Sequence, residues 1–445
     1  MAGTGISPTL SLAGLEAYLA TGAPPEPETM LENVELLGAG SMVVLHGASV
    51  SRRKHWDAGT FFDEPLEAGS PEAAEAVRAA LDASVRRQLV ADVPVGVFLS
   101  GGIDSSALVG LAATVDRPPQ TLSVLFSEPG YSETPYIEAV QRRWDTRHHS
   151  VELSEQELRA HLPGALGAMD QPTVEGVNTY VASALASEAG LKVALSGLGG
   201  DELFGGYELF TTIPRLHRLR HRAPRLPRPL ARGIARARYG RGDRARKLAR
   251  WLSREAGDAH GLQRELLDPG VREALIGQTG DIPDPSTDSS DANGISRLEL
   301  AGYMRNTLLR DADAMSMAHS VEVRVPIIDQ EVVELVARLP SHTKLARGRR
   351  KPLLVDSVHD LLPSQVIDRP KAGFTLPFER WLRTALATPV RESLLDERHG
   401  GAVADVLDPV ATAAVWSDFE RGRTSWHRPW ALYVLKEWSE RHLPA

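Results

Sequence analysis

The sequence predicts an α/β protein, a doubly wound parallel sheet followed by a helical C-terminal half, and three observations carry that prediction. Strand-like and helix-like segments alternate between residues 71 and 195, the pattern of parallel strands joined by crossover helices. Two of the strands run into glycine-rich turns, Gly101-Gly102 and Gly197-Leu198-Gly199-Gly200, at the carboxyl ends where such sheets bind ligands. Beyond Phe210 the pattern is helical through to Ala445.

The elements follow in order. Leu10 to Ala20 reads as a short helix stopped by the turn Gly22-Ala23-Pro24-Pro25-Glu26-Pro27, with short strands around Ser41 to Leu45. Pro71 to Val90 places Ala73, Val77, Leu81, Val85 and Leu89 on one face of an amphipathic helix. Val93 to Leu99 is apolar and β-branched, the composition of a strand covered on both faces, and Ser105 to Val115 is the helix after it. The unit repeats: strand Thr121 to Phe126, helix Pro135 to Trp144, a strand at Val151, a helix from Ser154, a helix Asn178 to Glu188 and a strand Lys192 to Leu195. Loops are expected at Pro283 to Asn293 and Lys371 to Leu376. Three portions result: residues 1–65, too small for a domain alone; the α/β core, 66–210; and the helical part, 211–445.

The 445 residues carry 50 Lys and Arg against 58 Asp and Glu, a formal charge of -8, with 42% apolar residues and no cysteine. A chain of this length and composition buries a large core, which sets aside collagen-like, disordered and disulfide-scaffold classes. Without cysteine, zinc ribbons, thiol nucleophiles and redox pairs are excluded. Apolar runs such as Val93 to Leu99 fall far short of the roughly 20 residues of a membrane helix, so no membrane association and a cytoplasmic location are expected. Arg215 to Arg254 is crowded with arginine, but Pro224, Pro227 and Pro229 interrupt it and no aromatic stacking platform accompanies it. A solvated helical surface is the favoured reading, with no nucleic-acid partner. Of the eight tryptophans, Trp416, Trp426, Trp430 and Trp438 crowd the C-terminus at helical spacing and read as core.

The segment with the strongest chemistry is Leu99-Ser100-Gly101-Gly102-Ile103-Asp104-Ser105-Ser106, between a buried strand and a helix. Two glycines let the backbone approach an anion, while serine hydroxyls and the N–H groups of a first helical turn donate to phosphate oxygens. Phosphate would repel Asp104 without an intervening divalent cation, so its presence predicts magnesium. None of the seven lysines is followed by Ser or Thr, and no G-x-G-x-x-G occurs, which argues against Walker-type and dinucleotide enzymes.

The octet resembles the pyrophosphate loop of the N-type ATP pyrophosphatases, which cleave ATP to AMP and pyrophosphate. Four further segments resemble the synthetase domain of glutamine-hydrolysing asparagine synthetases: Leu195 to Tyr207 their second ATP block, Ser316 to Pro326 with Asp329 their helical signature, Arg369-Pro370-Lys371-Ala372-Gly373-Phe374 with Pro377 and Trp381 their lysine loop, and Asp170-Gln171-Pro172-Thr173 a fourth block. The opening segment, Tyr18-Leu19 through Gly22 to His55-Trp56, resembles the bridge after their glutaminase domain. By that resemblance Leu99 and Phe126 line the adenine pocket with Ser196 and Gly197, and Ser100, Gly101, Gly102, Asp104, Ser105 and Ser106 hold the phosphates. Asp104 and Asp201 converge on Mg2+ bridging the ATP phosphates, and Lys351 and Lys371 face the phosphates and the developing charge. The implied activity is ATP-dependent amide-bond formation: a carboxylate is adenylated and a nitrogen nucleophile displaces AMP.

Two departures qualify it. With no cysteine, glutamine hydrolysis within these residues is excluded, so nitrogen comes from ammonia, a separate nitrogen-supplying protein or an amine substrate. Leu198 stands where the synthetases place an acid and β-lactam-forming relatives a tyrosine, and leucine manages no proton. Glu322 matches the glutamate of the β-lactam-type pair, with catalysis and a salt bridge to Arg324 weighed equally. The alternatives are an intramolecular cyclase of the β-lactam or lasso-peptide macrolactam type and a nucleotide-binding homologue without catalysis. His148 and His149 are expected to point to opposite faces of a strand and to serve packing.

Overall fold

The computed structural model describes residues 8–115, 118–126, 128, 132–222, 225–240, 242–277, 289–346, 348–369 and 376–444. Helix α1 (Leu12–Thr21), capped by the Ser11 hydroxyl, precedes an exposed antiparallel hairpin of β1 (Ser41–His46) and β2 (Ser49–Lys54). The central sheet then builds from α2 (Ser70–Gln88), β3 (Val95–Phe98), α3 (Ile103–Val115), β4 (Gln120–Leu125), α4 (Thr134–Trp144), β5 (Arg147–Glu152), α5 (Glu155–Ala168), α6 (Gly176–Glu188), β6 (Val193–Leu195) and the short α7 (Gly200–Phe204). With β7 (Glu322–Arg324), its strand order is β5-β4-β3-β6-β7, all parallel. Strand β3 starts at Val95 because Pro94 has no N–H to give the ladder.

The fifth strand, β7 (Glu322–Arg324), lies within the stretch that the sequence reads as helical. Three residues alternating charged, apolar and charged carry no period long enough to see, and β7 is an edge. Among the described helices of the C-terminal part, residues 292–317 form one rod: α8 (Ala292–Glu299), a π-helical stretch (Leu300–Leu309) and α9 (Arg310–Met317). α10 (Pro352–Ser357) and α11 (His427–His442) follow.

Two large apolar cores hold the layers. One lies between α2, α3 and the sheet; the other joins α1, α5, α6 and α11 and contains Trp416, Trp426, Trp430 and Trp438. The Tyr18 hydroxyl donates to the Ala431 carbonyl at 2.8 Å, so the opening helix is built into the C-terminal core. His148 Nδ1 lies 2.9 Å from Thr121 Oγ1, and burial pushes its pKa down to about 4. His149 is exposed on the other face of the edge strand β5, so packing accounts for His148 only. No described helix is long and apolar enough to cross a membrane.

Candidate functional site

The site forms where β3 and β6 end. Leu99 still donates to the Leu122 carbonyl at 2.8 Å, and then the backbone turns at Gly101 with φ of 65°. A Cβ there would lie 2.7 Å from Cβ of Tyr136, so glycine is required for space as well as conformation. Helix α3 begins at Ile103 and draws Asp104 and Ser105 into its first turn. Ser105 Oγ accepts from the Ser100 N–H at 3.2 Å and lies 3.1 Å from Ser100 Oγ, so the two hydroxyls sit together beside the helix N-terminus. In the positive field there, those hydroxyls and the first-turn N–H groups suit an anion.

Asp104 and Asp201, in the first turns of α3 and α7, meet on one cation. Lys351 Nζ lies 2.5 Å from Asp104 Oδ2 and 2.7 Å from Asp201 Oδ1, with the lysine side chain 1% exposed. Burial works against its charge, but the two carboxylates prevail and hold the Lys351 pKa above its usual value. The approach depends on missing side chains: a Cβ on Gly200 would fall 2.3 Å from Asp104 Oδ1, and one on Gly206 1.7 Å from Asp201 Oδ1 and 2.2 Å from Lys351 Cε.

Around this cluster opens a cavity of about 250 Å³. Of the residues expected in the site, Leu99, Ser100, Gly102, Asp104, Ser105, Ser196, Gly197, Asp201 and Lys351 line it. Gly101 shapes the loop behind it, and Ser106 is buried beneath with no hydrogen-bond partner for its hydroxyl among the described residues. Phe126 is not in the wall; it is buried in the tryptophan core with its ring 6.5 Å from that of Trp381. Glu322 is not there either. It sits at the amino end of β7, exposed, and its carboxylate pairs with Arg324 at 2.7 Å, while Arg324 donates to the carbonyls of Gln88 and Val90. Of the two roles weighed for Glu322, these contacts serve the structural one. Lys371 lies outside the described residues, and Leu198 is in the cavity wall.

Several wall residues escape a reading of the sequence. Arg350 precedes Lys351 and donates to the Arg369 carbonyl at 3.1 Å; burial lowers its pKa while Asp201 and Asp104 oppose the change. Glu202 accepts from the Tyr207 hydroxyl at 2.6 Å, yet burial lifts its pKa to about 7. Glu202 and Tyr207 belong to the block around Asp201 and Arg350 adjoins Lys351, so adjacency is the available signal. Arg369 donates to the Ser100 carbonyl at 3.0 Å and pairs with buried Glu133, which ties the loop to the chain just before residue 370. Nothing in its local sequence marks that role.

No group of three or more His, Cys, Asp or Glu among the described residues could hold a metal by itself. Asp104 and Asp201, brought together on one positive charge, are the oxygen donors that would hold a magnesium ion, which would supply further positive charge there.

Such a geometry defines a parallel α/β protein with a cavity between its strand ends and helix N-termini, where such sheets bind ligands. The asparagine synthase family matches residues 76–440, and the chain belongs to it, with a core of the ATP-pyrophosphatase type. A putative glutamine-hydrolysing asparagine synthetase of Mycobacterium tuberculosis H37Rv is 29% identical over 95% of this chain and 66% of its own length. Asparagine synthetase 1 of Bacillus subtilis, also described as glutamine-hydrolysing, is 28% identical over 86% of this chain and 62% of its own. The amidase chyE of Penicillium rubens is 23% identical over 73% and 56%. The chain thus spans just under two thirds of the length of the bacterial synthetases.

Proposed function

We propose that the chain is an ATP-dependent carbon–nitrogen ligase that adenylates a carboxylate, releases pyrophosphate and passes the acyl group to nitrogen. The observation that carries this reading is the meeting of Asp104 and Asp201, 97 positions apart in sequence, on Lys351 beside the glycine loop. Ser100, Ser105 and the first-turn N–H groups hold the phosphates of ATP, with Leu99, Ser196 and Gly197 on the nucleoside side. Mg2+ held by Asp104 and Asp201 would supply charge neutralisation on the phosphates. Lys351 balances those carboxylates and, with Lys371, meets the charge that grows on pyrophosphate.

A carboxylate oxygen of the acid forms the bond to the α-phosphorus, and the bond to the β-phosphate oxygen breaks with its electron pair leaving on pyrophosphate. Nitrogen then attacks the acyl carbon, and AMP departs. The residues act mainly by positioning. Leu198 offers no base, and Glu322 is paired with Arg324 away from the cavity, so the reading favours an amine neutral at pH 7, of the hydroxylamine type, over ammonium. The partners are thus small molecules, and a cytoplasmic location suits them.

The test is ATP–pyrophosphate exchange across a panel of carboxylates, with and without ammonia, glutamine and substituted amines. Asp104→Asn and Lys371→Ala are expected to abolish pyrophosphate release while circular dichroism stays unchanged; full turnover in both would remove the assignment. Product mass separates transfer to a second molecule from ring closure.

A further inference from the structure

The chain enters α10 through Lys351 with φ of 44°, a left-handed conformation that is costly for a residue with a Cβ and persists where the surrounding structure enforces it. Consecutive side chains diverge in regular helices and strands, but across this turn Arg350 and Lys351 both line the one cavity. They meet different groups. Lys351 is shared between Asp104 and Asp201, so these three side chains together carry one negative charge.

Arg350 has no such pair. Its Nη1 donates to the Arg369 carbonyl at 3.1 Å, which uses one of five N–H groups, and no described carboxylate forms an ion pair with it. Its Nε is closed to solvent and has no hydrogen-bond partner among the described residues. Burial works against the guanidinium's charge, as does Arg369, while Asp201 and Asp104 favour it from beyond ion-pair distance. A half-buried guanidinium with donors to spare is costly until an anion completes it. Two hydrogen bonds locate that anion. Arg350 is tied to Arg369, and Arg369 donates to the Ser100 carbonyl at 3.0 Å and pairs with Glu133, so the guanidinium is anchored to the glycine turn that precedes α3.

We propose that Arg350 is a phosphate-binding residue of this site, its guanidinium taking oxygens of the nucleotide's phosphate chain while Lys351 keeps the two aspartates together. The planar fork of arginine matches phosphate oxygens in pairs, which a lysine ammonium cannot do. The proposal deepens the adenylating reading above and rests on it for the identity of the phosphate as that of ATP.

The experiment is calorimetric titration of the full chain, in magnesium, with inorganic pyrophosphate and separately with adenosine. Arg350→Gln is expected to weaken pyrophosphate binding about tenfold or more, the scale of a hydrogen bond between charged partners, and to leave adenosine unchanged. Arg350→Lys, which keeps the charge and loses the fork, should fall between the parent and the glutamine variant. Thermal unfolding reports that both are folded, and the lysine variant alone decides if the glutamine variant is not. Pyrophosphate bound by the variants as tightly as by the parent overturns the proposal. So does an equal loss of both ligands, the result of a merely structural link to Arg369. Either outcome leaves the ligase reading standing where the parent exchanges pyrophosphate into ATP with some acid. A parent that binds pyrophosphate through Arg350 yet exchanges with no acid overturns the ligase reading and keeps the phosphate site; one that binds neither ligand overturns both.

Discussion

Lys344 has no place in the chemistry and is fully buried, its ammonium 5.2 Å from the centre of the Phe62 ring and without a hydrogen-bond partner among the described residues. Burial pushes its pKa from 10.5 down to about 7 against the pull of Asp291. Between those values the unfolded chain holds the extra proton, so this residue makes stability rise as pH rises from about 7 toward 10.5. Asp311 does the reverse. Burial lifts its carboxyl from 3.8 to about 8, although the Thr173 hydroxyl donates to it at 2.7 Å. The unfolded chain loses that proton first, so this residue makes stability fall as pH rises across that interval. Lys344→Met should therefore add about 1–3 kcal/mol near pH 7 and flatten the alkaline rise. Asp311→Asn should remove the fall between pH 4 and 8. Thermal unfolding over a pH series measures both, and slopes identical to the parent's would contradict the burial argument.

At the scale of elements, the two glycine turns set the site by what they omit. Gly206→Ala places a methyl where Asp201 and Lys351 meet. Exchange activity should fall about a hundredfold, the order expected when a positioned group is displaced by about 1 Å. Unaltered exchange in a folded variant would show that the close contact has no role. The strands ending at Phe98 and Leu195 and the turns after them are legible in the sequence because buried strands are runs of apolar residues and paired glycines punctuate them. Asp104 shares that clarity, since a carboxylate within a glycine turn suited to phosphate demands a cation. Lys351 has no such local signal; its φ of 44° and its two carboxylates exist only in the folded chain, and resemblance alone picked it out. Phe126 and Glu322 show the opposite limit. Phe126 follows β4 and turns into the tryptophan core, and Glu322 sits at the amino end of β7; tertiary packing decides both placements.

Across the whole molecule, the apolar core that contains the tryptophans joins residues from Leu10 to Leu443. Trp430 Nε1 donates to the Val174 carbonyl and Trp438 Nε1 to the Met169 carbonyl, each at 3.1 Å, so α11 supports the segment that leads into α6 and the cavity wall. Trp430→Ala should cost about 3–5 kcal/mol. Tyr18→Phe, which leaves the Ala431 carbonyl without its donor, should cost about 1 kcal/mol. Denaturant unfolding checks both; a Trp430→Ala protein as stable as the parent would mean that α11 is dispensable.

The edge strand β7 and the lysine shared by Asp104 and Asp201 come from residues 322–324 and 351, far downstream of the strands and carboxylates they complete. On a translating ribosome the nascent polypeptide therefore exposes an unfinished sheet and two unneutralised acids until Lys351 has cleared the exit tunnel. The cavity is consequently completed late in biosynthesis, and chaperone protection is most needed during that interval.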